Sequence, residues 1–332
     1  MVYDCISFFN ELEVLEIRLN VLKDVVDRFV IVEAPWTHTG RTKELVFEKH
    51  RGRFAEFADR IEYLVCDETI DFPEGATERE RAWIRENVQR NAMVRGLKAA
   101  HPDDLLLITD LDEIPNPEVV RRLSADPPAG VIALAMRNQN FFLNYHNVSY
   151  PRWVAAKALV YAAFVDPRTY DGIAFSEYAP QCVNPIPSAT LVRMARKDVV
   201  IENAGWHFSY MGGIERIRTK LLAFAHTEHT ESATEENIRR CLAEGRDPMG
   251  LGDRFVAEPP ELHLPRYLLE NRSKYEAMFL PTTAEAYAKT RFLRWWAPRK
   301  KRLHDGFISL CIRLTPGFLV PFGRSVRRRL GI

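Results

Sequence analysis

The chain has 332 residues, with 46 Lys and Arg against 45 Asp and Glu and a net charge of +1. Hydrophobic residues make up 46% and charged residues 27%, which fits a folded globular protein and excludes general disorder. The near-neutrality hides a split: residues 289–332 carry 12 basic residues and one acidic residue, leaving 34 basic and 44 acidic in residues 1–288, so a charged partner would meet only one part.

The first half alternates strands and helices. Residues 3–9 are a short apolar run, and residues 11–26 place Leu12, Leu15, Leu19 and Leu22 at helical spacing. Residues 28–32 read as a second strand, 47–57 as a helix, and 61–66 as a third strand. Residues 78–100 are predicted as one long amphipathic helix, stopped by His101 and Pro102. Residues 104–109 are apolar on both faces, as in buried parallel strands. This order predicts an α/β fold with a mostly parallel central sheet flanked by helices.

The second half is less regular. Residues 131–136 read as a buried strand, 153–164 as a strand or hairpin arm, and 213–224 and 234–242 as helices. Residues 138–150 are rich in Phe, Tyr and Asn, and Ala204-Gly205-Trp206-His207-Phe208 follows a short strand at 199–202.

The strongest chemical signal is Asp110-Leu111-Asp112-Glu113-Ile114-Pro115, directly after the apolar fourth strand. Carboxylates there lie at the carboxyl edge of the sheet, where open α/β folds bind ligands. Asp110 and Asp112 are two apart, so an extended backbone points them the same way. Such a pair suits Mn²⁺ or Mg²⁺ shared with a diphosphate. An apolar strand followed by Asp-x-Asp also opens haloacid-dehalogenase-type phosphatases, with Asp110 as nucleophile, but Ile114 and the three preceding strands make that the lesser competitor. The bland alternative is a solvated turn capping a helix near Glu118. Arg90 and Asn91 lie on the helix before this strand, and a guanidinium there would pair with a diphosphate. His226 and His229 are three apart without an HExxH pattern, which favours a polar helix end over a metal site.

Several segments, kept in order, resemble glycosyltransferase family 17: Tyr3-Asp4-Cys5 with Phe8-Phe9-Asn10-Glu11, Leu15-Glu16-Ile17-Arg18-Leu19, and Val25 through Ala34. Gln89-Arg90-Asn91-Ala92, Asp110 through Pro115, Ala204 through Ser209, and Phe224-Ala225-His226-Thr227-Glu228 complete the set. The resemblance covers roughly residues 1–230. It implies a GT-A type nucleotide-diphospho-sugar transferase fold, a UDP-N-acetylglucosamine-like donor, Mn²⁺ dependence and inversion at the anomeric carbon. By that analogy Asp112 contacts the metal, Asp110 binds it through water or holds the ribose, and His207 completes the shell. Asn10, Glu11 and Glu33 would face base and ribose, and Trp206 would stack on a sugar. For the general base the candidates are Glu113, Asp171 and Glu177, with Glu177 taken first because acceptor loops usually occupy such segments. A saccharide, polysaccharide or glycolipid hydroxyl is the expected acceptor. A non-catalytic saccharide-binding protein is the remaining alternative.

Residues 1–288 are expected to form the catalytic domain and 289–332 a basic aromatic tail. Arg294-Trp295-Trp296, Arg299 to Arg302 and Arg327-Arg328-Arg329 suit an anionic membrane surface, with nucleic acid as a weaker rival. Five dispersed cysteines without a CxxC pair argue against a disulfide framework. With no signal-like opening and no apolar run of about 18 residues, a cytoplasmic protein peripheral to the inner membrane face is expected.

Overall fold

The run Val-Tyr-Asp-Cys-Ile-Ser-Phe forms β1 (Val2–Phe8), buried along almost its whole length. In the computed structural model, which describes residues 1–176, 178–195 and 199–280, it is an interior strand of the main sheet. Glu177 and residues 289–332 lie outside the described residues, so the preferred base and the tail do too.

From β1 the chain passes through α1 (Leu12–Leu22), β2 (Arg28–Glu33), α2 (Val46–His50), β3 (Ile61–Val65), α3 (Glu78–Asn91) and β4 (Leu105–Ile108). All four strands pair in parallel, in the order β4-β1-β2-β3. Leu12, Leu15, Leu19 and Leu22 are all buried, as their spacing predicts. Burying a Leu of this kind contributes about 1.5–3 kcal/mol.

Two predicted helices are shorter than expected. Residues 47–57 give α2 and then a 3₁₀ stretch, Arg51–Arg60. The helix predicted over 78–100 ends as α3 at Asn91 and tightens into a 3₁₀ turn, Ala92–Leu97. The turn presses on β2 at Gly96, where a Cβ would stand 2.5 Å from Val30 Cγ1. The start of α3 is fixed by a capping box between Thr77 and Glu80.

Past β4 come β5 (Glu113–Pro115), α4 (Pro117–Ala125), β6 (Ile132–Leu134), β7 (Met136–Asn140), β8 (Tyr145–Asn147), β9 (Arg152–Trp153) and β10 (Lys157–Val160). Then follow α5 (Tyr161–Val165), α6 (Ala189–Met194), β11 (Val200–Ile201), β12 (Gly205–Ser209), α7 (Gly213–Ala223), α8 (Glu235–Ala243) and β13 (Phe255–Ala257). The expected arm at 153–164 is therefore two short strands ending in a helical turn. The strand predicted over 131–136 continues past Ala135 into another sheet.

β10, β6 and β11 extend the main sheet beyond β4, with β10 antiparallel to both neighbours. β13, β8, β7, β12 and β5, with β9 paired to β7, form a second, mainly antiparallel sheet. The expectation of a mostly parallel sheet holds for the main sheet alone. β5 belongs to the second sheet and directly follows β4, so the segment Thr109–Asp112 passes from one sheet to the other.

Candidate active site

A buried guanidinium shapes that crossing. Arg18, on α1 and fully buried, donates through Nε and Nη2 to Asp4 at 2.7 and 2.5 Å and through Nη2 to Thr109 Oγ1 at 2.5 Å. Its Nη1 donates to the carbonyls of Asp110, Leu111 and Glu113 at 3.0, 3.0 and 2.7 Å. The backbone carrying Asp110 and Asp112 is thus held from beneath, and their side chains line a cavity of about 530 Å³. This cavity lies where strand ends of both sheets meet.

Strand β12 brings His207 to the same place. His207 pairs in register with Glu113 of β5 and with Asn138 of β7, and Phe208 N donates to the Asp112 carbonyl at 2.7 Å. The approach to β5 demands glycine at position 205: its φ is +149°, and a Cβ would stand 2.2 Å from the Ile114 carbonyl oxygen.

Hydrogen bonds fix the imidazole tautomer. Asn138 Nδ2 donates to the Tyr150 carbonyl at 2.9 Å, which turns its Oδ1 toward His207 Nδ1 at 3.1 Å. A carboxamide oxygen only accepts, so Nδ1 carries the proton. Burial holds the His207 pKa below its ordinary value, against the pull of Asp112. Nε2 is therefore a lone pair, and it faces Asp112 Oδ1 at 3.6 Å. Two electron-pair donors so placed are stabilised by a cation between them.

Asp112 Oδ2 accepts from Lys220 Nζ at 2.8 Å, and the same ammonium lies 3.2 Å from Glu11 Oε1. Burial pushes the Asp112 carboxyl up, but Lys220 outweighs it and holds it below the ordinary range. Burial likewise opposes the charge on Lys220, and Asp112 and Glu11 raise its pKa in spite of it. Among the described residues no three His, Cys, Asp or Glu side chains converge on one point. Asp112 and His207 offer an open pair instead, which suits a hard cation completed by phosphate oxygens and water.

Asp110 has a different environment. Arg90 Nη2 donates to its Oδ1 at 3.1 Å and Arg193 Nη2 to its Oδ2 at 2.8 Å. Burial raises its pKa, yet the two guanidiniums lower it strongly. With both oxygens engaged, Asp110 does not fit the nucleophile of the phosphatase reading. It orients Arg90, which Glu86 also holds at 2.6 Å. Trp83, Glu86, Gln89 and Arg90 share a face of α3 and all line the cavity.

Other expected site residues are placed elsewhere. Glu33 does not line the cavity: its carboxylate accepts from Val46 N, Phe47 N and Lys43, at 2.6, 3.0 and 2.6 Å, and so caps α2. Asn91 points to α6, bonding Asn184 and the backbone of Thr190. Glu113 is fully buried beneath Arg193 and Trp153, so no acceptor hydroxyl reaches it. Asp171 is exposed and away from the cavity. Asn10 sits at the turn into α1, and Trp206 donates to the His263 carbonyl at 2.5 Å; neither lines the cavity. Glu11, Arg90, Asp110, Asp112 and His207 are brought together.

Sequence reasoning missed Lys220, Arg193, Asn138 and Trp153, whose ring stacks on His207 at 4.4 Å. It had read residues 213–224 as a helix, but nothing in that pattern shows that Lys220 meets a carboxylate 108 positions away.

The model of glycosyltransferase family 17 matches residues 1–171, just over half the chain. The chain is similar to β-1,4-mannosyl-glycoprotein 4-β-N-acetylglucosaminyltransferases of Rattus norvegicus and Homo sapiens, each 32% identical over 120 residues. That match covers 34% of this chain and 21% and 22% of the rat and human proteins, so it spans about a fifth of their length. The residues matched by the family model include Asp110 and Asp112, and the chain belongs to glycosyltransferase family 17.

Proposed function

We propose that the chain is a metal-dependent, inverting glycosyltransferase. It moves a sugar from a UDP-sugar to a hydroxyl of a glycan, polysaccharide or glycolipid. N-acetylglucosamine is the proposed sugar, following the names of the relatives. The observation that carries this reading is the facing pair Asp112 and His207, beside the cations Lys220 and Arg90, at the carboxyl end of parallel strands. That placement, with a second sheet closing the cavity, supports a GT-A type fold.

The residues fit the steps the reaction needs. Arg90 is held by Glu86 and Asp110 with its guanidinium at the cavity, where it would bind diphosphate oxygens. Lys220 adds a second fixed charge beside the leaving group. Asp112 and His207 would hold Mn²⁺ or Mg²⁺, which supplies Lewis-acid neutralisation of the diphosphate when bound. Trp36, Trp83 and Phe224 wall the same cavity with apolar surface and limit water. The acceptor oxygen attacks the anomeric carbon, its proton passes to a base, and the bond to UDP breaks.

Residues 289–332 would attach the enzyme to an anionic membrane surface through their basic and aromatic clusters, which would place its work at the inner face. Among the described residues no helix is long and apolar enough to cross a membrane. Binding of UDP with Mn²⁺, repeated with a chelator, tests the catalytic reading.

A further inference from the structure

The cavity has two sides. α3 and the ends of β1 and β2 supply Arg90, Gln89 and His38 on one. The second sheet, the turn between β8 and β9, and the loop before β13 supply Asn140, Asn147, Tyr150 and Asp253 on the other. The Asp112–His207 pair lies at the seam. The donor reading uses the first side and the seam, and leaves the second without an occupant.

Asn140, the last residue of β7, lines this second side and is only 8% exposed. Its Oδ1 is buried and has no hydrogen-bond partner. A buried carboxamide oxygen without a donor carries an uncompensated desolvation cost, which a ligand hydroxyl would remove. Nearby, Asn147 Oδ1 accepts from the backbone N of Ser149 and Tyr150 at 3.0 and 2.8 Å. This leaves its Nδ2 to donate to Asp253 Oδ2 at 2.8 Å and fixes that carboxylate. Asp247 is occupied differently: its two oxygens accept from Leu251 N and Asp253 N, both at 2.9 Å, and so shape the loop that presents Asp253.

The charge of this side selects the ligand class. Among the described lining residues contributed by the second sheet and the 247–253 loop there is no Lys or Arg, and there are two carboxylates. A phosphate or nucleotide would be repelled here. A neutral polyol would instead donate hydroxyls to Asn140 and Asp253 and lay an apolar ring face on aromatic surface such as Tyr150.

We propose that this second-sheet side is the acceptor subsite. It binds a neutral saccharide, with Asn140 Oδ1 and the Asp253 carboxylate accepting from its hydroxyls. The assignment rests on the glycosyl-transfer reading of the same cavity.

Saturation-transfer NMR on the full chain tests it. The probe is a panel of neutral mono- to tetrasaccharides of mannose, galactose, glucose and N-acetylglucosamine, with UDP binding measured in parallel. The wild-type chain should bind at least one saccharide. Asn140→Ala and the isosteric Asp253→Asn should each weaken that binding about tenfold, with UDP affinity kept within about twofold. Saccharide binding unchanged in both variants overturns the proposal, as does no saccharide bound by a chain that binds UDP. Loss of UDP binding in either variant contradicts the division of the cavity. Saccharide binding without any UDP binding would keep the subsite and sink the transferase reading instead.

Discussion

Asp112 Oδ1 faces the unprotonated Nε2 of His207 at 3.6 Å, and the tautomer that makes this so is set by Asn138. Asn138 is itself oriented by a backbone carbonyl, that of Tyr150. The geometry of the pair is therefore set by β7.

Under the proposed metal reading, that dependence makes Asn138 a positioning residue. Asn138→Ala should lower Mn²⁺ affinity about 10- to 100-fold, read by electron paramagnetic resonance of free Mn²⁺ in a titration. Asn138→Asp keeps an acceptor for Nδ1 but loses the donation to the Tyr150 carbonyl, so it should retain more affinity than Asn138→Ala and less than wild type. Equal Mn²⁺ binding by wild type and Asn138→Ala would show that the tautomer does not matter.

Arg18 holds the segment that carries the carboxylates, and its ion pair with Asp4 is fully buried. Arg18→Met would strand the Asp4 charge and release three backbone carbonyls. The expected loss is about 3–5 kcal/mol, measured by urea unfolding. The exposed pair of Arg121 and Glu118 makes the contrast: Arg121→Met should cost no more than about 1 kcal/mol.

Acid should weaken the contacts of α1 with Arg53 and Lys274. Burial pushes the Glu16 carboxyl up, but hydrogen bonds from Lys274 and Arg53 outweigh it, so its pKa falls below the ordinary 4.5. The folded chain then binds this proton less tightly than the unfolded chain, and ionisation favours folding. The contribution is full above pH 4.5 and is lost as pH falls through the lowered value. The urea midpoint should drop between about pH 6 and pH 3, and Glu16→Gln should show a smaller drop.

The parts of the site that could be read from sequence are those written locally. Leu105–Ile108 is wholly buried, so an apolar run followed by carboxylates does mark a sheet edge. The second sheet was hidden because its strands are two to five residues long and bury amides. β7 reads Met-Arg-Asn-Gln-Asn, and its Asn138, Gln139 and Asn140 are all buried. No apolar period marks such a strand. Glu33 misled for a related reason: a strand-end carboxylate that looks like a ligand is consumed in capping the next helix.

The tail can be tested without structural detail. Flotation with liposomes containing anionic lipid should lift the full chain and leave a chain cut at residue 288 behind. The difference should shrink as salt screens the basic clusters. Equal flotation of both would remove the membrane proposal.

The central claim is that Asp112 and His207 form a metal site that receives a nucleotide diphosphate. Calorimetric titration of UDP into the full chain, first with Mn²⁺ and then with excess chelator, addresses it most directly. Saturable UDP binding that needs Mn²⁺ and is lost in Asp112→Ala is the expected result. UDP binding of equal strength in chelator, or no UDP binding at saturating Mn²⁺, would contradict it.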